Sequence, residues 1–292
     1  MSKYLLYRLG QLVVVALPLK ITYGIAVFLA DLHRLISKRD RMAVMENLRA
    51  IAPEASNEAI EKNCRSLFRN FAKYLVEFFR FSIVDKQYIQ KNLSIEGLEK
   101  VDKALLKKNG VLIVSAHMAN WEFGGIAMAM LKYPIACVAL KHRDKRINKF
   151  FTGQREKKGM EVIPLGQAAP RCLYALKKNK LLALVGDRDF TNSGIKIDLF
   201  GKLTTIPRGP AAFSIKTGAP LLLGILLRQK NNKLRFIYEG PFEIDPSGDY
   251  EQDVNSLTEK YISVIKEYIK ANPDQWLIFR KFWEPLSLDV CD

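Results

Sequence analysis

Two residue types at a fixed spacing carry the first chemical signal: His117 and Glu122, in the segment HMANWE. Immediately before them, Val111 to Val114 is an unbroken apolar run bounded by Gly110, the pattern of a buried strand. From Met118 onward, Trp121, Gly124, Gly125, Ile126, Met128 and Leu131 suit a helix packed on a sheet. His117 is therefore expected at the carboxyl end of a strand, with Glu122 in the first turn of the following helix. In open α/β sheets that crevice is where ligands bind. Residues five apart on one regular helix diverge by about 140° and would not meet. With His117 in the turn before the helix, Glu122 is expected to reach back to the ring. A carboxylate on one imidazole nitrogen fixes the tautomer and leaves the other nitrogen as a base. Such a pair has no nucleophile of its own and suits deprotonation of a substrate hydroxyl that attacks an acyl group. Taken alone, the same two residues also fit a histidine that only caps a helix or strand end.

The elements that must hold this pair alternate. Strands are expected at 135–140, 161–164 and 181–185, with helices at 147–159 and 171–178 between them. This alternation predicts an α/β fold with a central, mostly parallel sheet flanked by helices. The Gly- and Pro-containing stretch 191–210 reads as a long loop with a hairpin, a length that is often functional. A helix from Pro210 to Thr217, a hairpin of strands turning at Asn231 and Asn232, and an amphipathic helix from Val254 to Ile269 complete this half. Upstream, Ile60, Cys64, Leu67, Phe68, Phe71, Leu75, Phe78 and Phe79 recur at helical spacing. Their wide apolar stripe belongs either in the core or over a lipid groove.

With 292 residues, 49% hydrophobic and 26% charged, the chain is expected to fold as one large α/β unit or two small ones. Its net charge of +16 favours an anionic partner: an anionic membrane surface, a phosphorylated substrate or a nucleic acid. No zinc-finger, aromatic-basic or helix-turn-helix signature supports nucleic acid. Cys64, Cys137, Cys172 and Cys291 lack metal-ligand or disulfide-framework spacing, and no metal or cofactor is implied. Residues 9–30 are apolar but interrupted by Pro18 and Lys20, with basic residues at both ends. Such a stretch reads as a helix pair or bent helix lying in the membrane interface, a single span or a soluble core helix being the alternatives. The chain is accordingly divided into a membrane-binding segment, 1–40, and a catalytic domain, 41–292.

The HMANWE segment resembles the H-x4-D/E signature of the bacterial lipid A biosynthesis acyltransferases, a family that includes phosphatidylinositol mannoside acyltransferases. Its companions stand in the family's order: Asn47 and Leu48 before Pro53, Gly97 to Glu99, Gly186 and Asp187, Gly194, Leu199 to Gly201, Pro207 to Ala211, Thr217 to Pro220, Asn272 to Trp276, and Arg280 to Phe282. Phe279 departs from the pattern where a histidine is common. The run Asp187 to Phe190 is closer to the mannoside branch.

The resemblance implies a glycerolipid acyltransferase-like fold on the cytoplasmic face of an inner membrane. It implies transfer of an acyl chain from an acyl carrier protein or coenzyme A thioester to a hydroxyl of a membrane glycolipid such as a lipid A precursor. A phosphatidylinositol mannoside or a lysophospholipid is the alternative acceptor, and a catalytically silent membrane adaptor the non-enzyme alternative. His117 corresponds to the base and Glu122 to its orienting acid. Arg155 and Asp187 correspond to further substrate-site residues, Asp187 either pairing with Arg155 or fixing a loop. Charge developing on the thioester carbonyl calls for a donor. The backbone near Ala119 and Asn120 is preferred for this over Arg155, which is otherwise suited to a phosphate. Arg143, with Lys141 and His142, is expected to face the donor's carrier or solvent.

Overall fold

The computed structural model describes residues 3–190 and 194–284. Cys291 and the loop residues 191–193 lie outside them. The chain opens with α1 (Lys3–Ala16), α2 (Leu19–Ile36), α3 (Lys38–Ile51), α4 (Asn57–Phe79) and α5 (Lys86–Asn92). Next come β1 (Leu93–Glu96), α6 (Leu98–Leu105), β2 (Val111–Ser115), α7 (Trp121–Met130), β3 (Ile135–Ala139), α8 (Lys145–Glu156) and β4 (Glu161–Pro164). The remainder is α9 (Ala168–Lys177), β5 (Leu181–Val185), β6 (Ile195–Leu199), β7 (Lys202–Ile206), α10 (Gly209–Thr217), β8 (Leu221–Arg228), β9 (Leu234–Phe242) and α11 (Tyr250–Ala271).

Seven strands form the central sheet in the order β1-β9-β8-β2-β5-β3-β4. The five from β8 to β4 run parallel, and β9 and β1 run the other way at one edge. The parallel strands are apolar on both faces because helices cover both sides. In β2, Val111 and Ile113 enter the core under α6, α7 and the end of α4, while Leu112 and Val114 enter the core against α9, α10 and α11. The hairpin of the long loop is β6-β7, which turns at Phe200 and Gly201, both at positive φ.

The apolar N-terminal run is two helices. Pro18 stands between them, where its missing N–H would break an internal helical bond. The inner side of α2 packs with α3 and α4 through Ala30, Val44, Leu48, Ile60, Cys64 and Phe68. Among the described residues no helix is long and apolar enough to cross a membrane, so the single-span alternative is not what forms. The aromatic stripe of α4 is core, with Phe78 and Phe79 buried.

Candidate active site

β2 ends at Ser115, and the chain then makes the sharp turn that presents His117. Ala119 takes a φ of +46°, a left-handed conformation that costs a non-glycine residue about 1–3 kcal/mol. Its neighbours over-determine that conformation. The amide of Ala119 donates to the Gln275 carbonyl at 2.8 Å, and the amide of Leu277 donates to the His117 carbonyl at 2.8 Å. Met118 forms a β-bridge with Trp276. Asn120 ends the turn as N-cap of α7, its Oδ1 accepting from the Phe123 amide at 3.0 Å. The C-terminal stretch around Trp276 is thus the clamp that holds the histidine turn.

The carboxylate partner of His117 is Asp187, not Glu122. Nδ1 of His117 lies 2.7 Å from Asp187 Oδ1. Asp187 Oδ2 accepts from the His117 amide at 3.0 Å and from Trp276 Nε1 at 2.8 Å. Asp187 stands two residues beyond the end of β5, which pairs with β2 in parallel register from Val111↔Leu181 to Ser115↔Val185. The two residues therefore emerge side by side at the carboxyl ends of adjacent strands. Burial alone would raise the Asp187 carboxyl, but the His117 ring beside it and three hydrogen bonds hold it below the usual carboxylate range. Nε2 of His117 has no hydrogen-bond partner among the described residues, and the ring meets Trp121 edge-on at 4.9 Å.

Glu122 takes a different partner. Both its oxygens are held by the fork of Arg155, with Nε donating at 2.7 Å and Nη2 to the second oxygen. Arg155 Nη1 reaches the Phe151 carbonyl at 3.3 Å. A bidentate, largely buried pair of this kind fixes α8 against α7. Burial opposes the Arg155 charge, and Glu122 more than restores it. Arg155 lines the cavity with three of its five N–H donors engaged in these bonds, and its carboxylate partner is Glu122 rather than Asp187.

Asn120, Ala119 and Arg143 are placed differently from one another. Asn120 is buried, its Nδ2 donating to Glu77 at 2.7 Å, so its side chain points away from the cavity. The Ala119 amide is committed to Gln275, while the amides of Asn120, Trp121 and Glu122 have no acceptor among the described residues and stand at the start of α7 near His117. Arg143 is exposed between β3 and α8, next to Asp144, which caps α8. Phe279, standing where the family commonly has histidine, packs on Phe68 and Phe71 with ring centroids 4.9 and 4.7 Å apart.

His117 and Glu122 line a cavity of about 530 Å³. One lobe runs under α7 between Ile113, Met128, Met160, Phe236 and Tyr238. A second lies on the other face of the sheet between Val138, Leu184, Ala168 and Phe213, with Arg188 and Arg208 also in the wall. Cys137 sits in the wall of the first lobe, and Cys172 is core. Neither Asp187 nor Trp276 was paired with His117 in the sequence reading. The signals were the Gly186-Asp187 step after a strand and the ordered Asn272–Trp276 motif, but only the β2-β5 pairing joins them.

A strand-end histidine held by a buried aspartate thus stands beside a largely apolar cavity. Residues 1–284 match the family described as bacterial lipid A biosynthesis acyltransferase, and the chain belongs to that family and is an acyltransferase. It is 28% identical over 230 residues to a phosphatidylinositol mannoside acyltransferase of Mycobacterium tuberculosis, covering 75% of this chain and 69% of that one. To the phosphatidylinositol mannoside acyltransferase of Mycolicibacterium smegmatis it is 26% identical over 282 residues, 95% of this chain and 90% of the relative. To the lipid A biosynthesis palmitoleoyltransferase of Escherichia coli it is 24% identical over 272 residues, 92% and 87% of the two chains.

Proposed function

We propose that the enzyme moves a fatty acyl chain from a carrier-protein or coenzyme A thioester to a hydroxyl of a membrane glycolipid. His117, oriented by Asp187, is the general base. The acceptor hydroxyl donates to Nε2, and as its oxygen bonds to the thioester carbonyl carbon its proton passes to the imidazole. Asp187 stabilises the imidazolium through Nδ1. The negative carbonyl oxygen is met by first-turn amides of α7, where the helix dipole favours an anion. Collapse breaks the carbon–sulfur bond, and the leaving thiolate takes the proton back from Nε2. The observation that carries this reading is the Nδ1–Asp187 contact of 2.7 Å, which leaves Nε2 without a partner among the described residues in a histidine that lines the largely apolar cavity.

The cavity accounts for an acyl chain, and the relatives' names support a glycolipid acceptor. A mannosylated phosphoinositol lipid is favoured, because the mannoside acyltransferases are the more similar relatives named above. An anionic membrane surface of the inner-membrane type, at its cytoplasmic face, fits the outer side of α1 and α2. There Leu12, Phe28 and Ile36 are 62%, 68% and 73% exposed, flanked by Leu5, Leu9, Ile21, Ile25, Leu29 and Leu35. Exposed apolar side chains concentrated on two helices suit contact with a membrane or a partner. With the net charge of +16 they suit an anionic interface.

Mass spectrometry of membrane lipids from a host making the wild-type chain or His117→Ala tests the reading. A lipid heavier by one acyl group, seen only with wild type, is expected. Identical lipids, in a host shown to contain mannosylated and lipid A-type acceptors, would reject it.

A further inference from the structure

At the β8-β9 side of the first lobe, Ile113, Gly224 and Phe236 present hydrocarbon, and Tyr238 among them carries a hydroxyl. Tyr238 on β9 pairs with Gly224 on β8, and the adjacent Leu223 pairs with Val114 on β2. Tyr238 therefore sits level with the end of β2 and two strands to one side, about 10 Å away at about 4.8 Å per strand. Its side chain is only 1% exposed and lines the cavity with Ile113, Gly224 and Phe236. Gly224 keeps this wall tight, since a Cβ there would come 2.8 Å from Ile113 Cγ2 and 3.2 Å from Tyr238 Cε1. Phe236, two residues earlier on the same face of β9, stacks obliquely on Tyr238 with centroids 4.6 Å apart. The neighbouring position thus does with a plain ring what Tyr238 does with a hydroxylated one.

That hydroxyl is buried and has no hydrogen-bond partner among the described residues. Burial holds it protonated, far above the ordinary tyrosine range. A buried hydroxyl without a partner is destabilising, and phenylalanine would remove the penalty at no loss of packing. What fills the cavity is positioned to supply the missing partner, because Tyr238 lines it. A plain alkyl chain supplies none. A chain carrying its own hydroxyl supplies a donor and an acceptor, matching the two roles of the tyrosine oxygen.

We propose that Tyr238 is a specificity subsite for an acyl donor bearing a hydroxyl part-way along its chain. This rests on the acyl-transfer reading: the carbonyl must stand at His117, and the donor's tail is the group that enters the lobe behind it. The two hydroxyls, each costly to bury alone, satisfy one another. The distance from β2 places the chain hydroxyl well beyond the carbons next to the thioester.

The test uses phosphopantetheine thioethers, which represent the arm common to both donor types and cannot be transferred. A plain chain is compared with isomers of equal length carrying one hydroxyl at successive positions, on wild type and Tyr238→Phe. One isomer is expected to bind wild type about tenfold tighter than the plain chain, about 1.4 kcal/mol, and to lose that margin in Tyr238→Phe. The variant should bind the plain chain at least as well as wild type, and its melting temperature should equal or exceed that of wild type. No favoured isomer, or a preference that persists in Tyr238→Phe, would overturn the subsite. The corresponding thioesters separate this from the parent reading. Transfer of plain chains with no hydroxyl preference rejects the subsite alone, while absence of transfer from any thioester rejects the acyltransferase mechanism on which it rests.

Discussion

The turn from His117 to Asn120 faces two buried charge clusters built on opposite logic. On the cavity side, Asp187 receives three hydrogen bonds while one ring nitrogen of His117 is left over. On the inner side, Glu77 of α4 leaves nothing over. Arg228 donates to it through Nη1 and Nη2 at 2.6 and 2.8 Å, Asn120 Nδ2 at 2.7 Å, and the Tyr23 hydroxyl of α2 as well. Arg228 is in turn locked by Gln275, whose side chain bonds its amide and carbonyl at 2.7 and 2.9 Å. Glu77 has both oxygens engaged and organises structure, although Arg228 Nε has no partner among the described residues, whereas a buried pair with one free lone pair is poised for proton transfer. Glu122–Arg155 belongs to the first kind although it borders the cavity, so nearness to the substrate does not by itself separate the two.

Substitutions sharpen this contrast. The largest expected effect is on the cavity side: His117→Ala, compared at matched folded fraction, should lower the transfer rate about 10³-fold, within the usual range for a general base. Asp187→Asn should lower kcat about 10²-fold with little change in KM, because it disturbs the ring's tautomer rather than substrate binding. On the inner side, Glu77→Gln should cost about 3–5 kcal/mol of stability by leaving Arg228 buried and uncompensated, read by denaturant unfolding. Glu77→Gln with Arg228→Met should recover part of that loss, whereas no second substitution of this type should rescue His117→Ala. The smallest effect is expected from Phe28→Ser with Leu12→Ser, which should weaken binding to anionic vesicles several-fold and leave unfolding unchanged. Unaltered vesicle binding would remove this face from the membrane contact.

Acid should reach both clusters with the same sign. Burial by itself would raise Glu77 and Asp187, but Arg228 in one case and His117 in the other, with their hydrogen bonds, hold both carboxyls below the ordinary range. A carboxyl with a depressed folded-state pKa adds stability that is fully present above its unfolded value, about 4, and is lost as pH falls through the folded value. Unfolding free energies measured from about pH 5 downward should therefore fall, and Glu77→Gln or Asp187→Asn should each flatten the slope. A slope unchanged in both variants would contradict the assigned pairings.

Local pattern carried the sheet, the strand-end position of His117 and the break at Pro18, because each is written in residues a few positions apart. The partners of His117 and Glu122 were not legible in that way. Glu122 lies five residues from His117 yet turns to Arg155 on α8, and Asp187 lies seventy residues away yet arrives beside the ring. Strand order decides this, and a single sequence does not spell out that β5 lies between β2 and β3. Asn120 shows the same limit: its place in the motif suggested substrate contact, while its side chain caps α7 and reaches inward to Glu77.

The most direct measurement is single-turnover transfer from a long-chain acyl thioester to mannosylated phosphoinositol lipid in vesicles, comparing Asp187→Asn with Glu122→Gln at matched folded fraction. If Asp187 orients the base, Asp187→Asn should slow the chemical step about 10²-fold, and Glu122→Gln, which leaves the His117–Asp187 contact in place, should slow it much less. Wild-type rates in Asp187→Asn together with a collapse in Glu122→Gln would contradict the account and return the orienting role to Glu122.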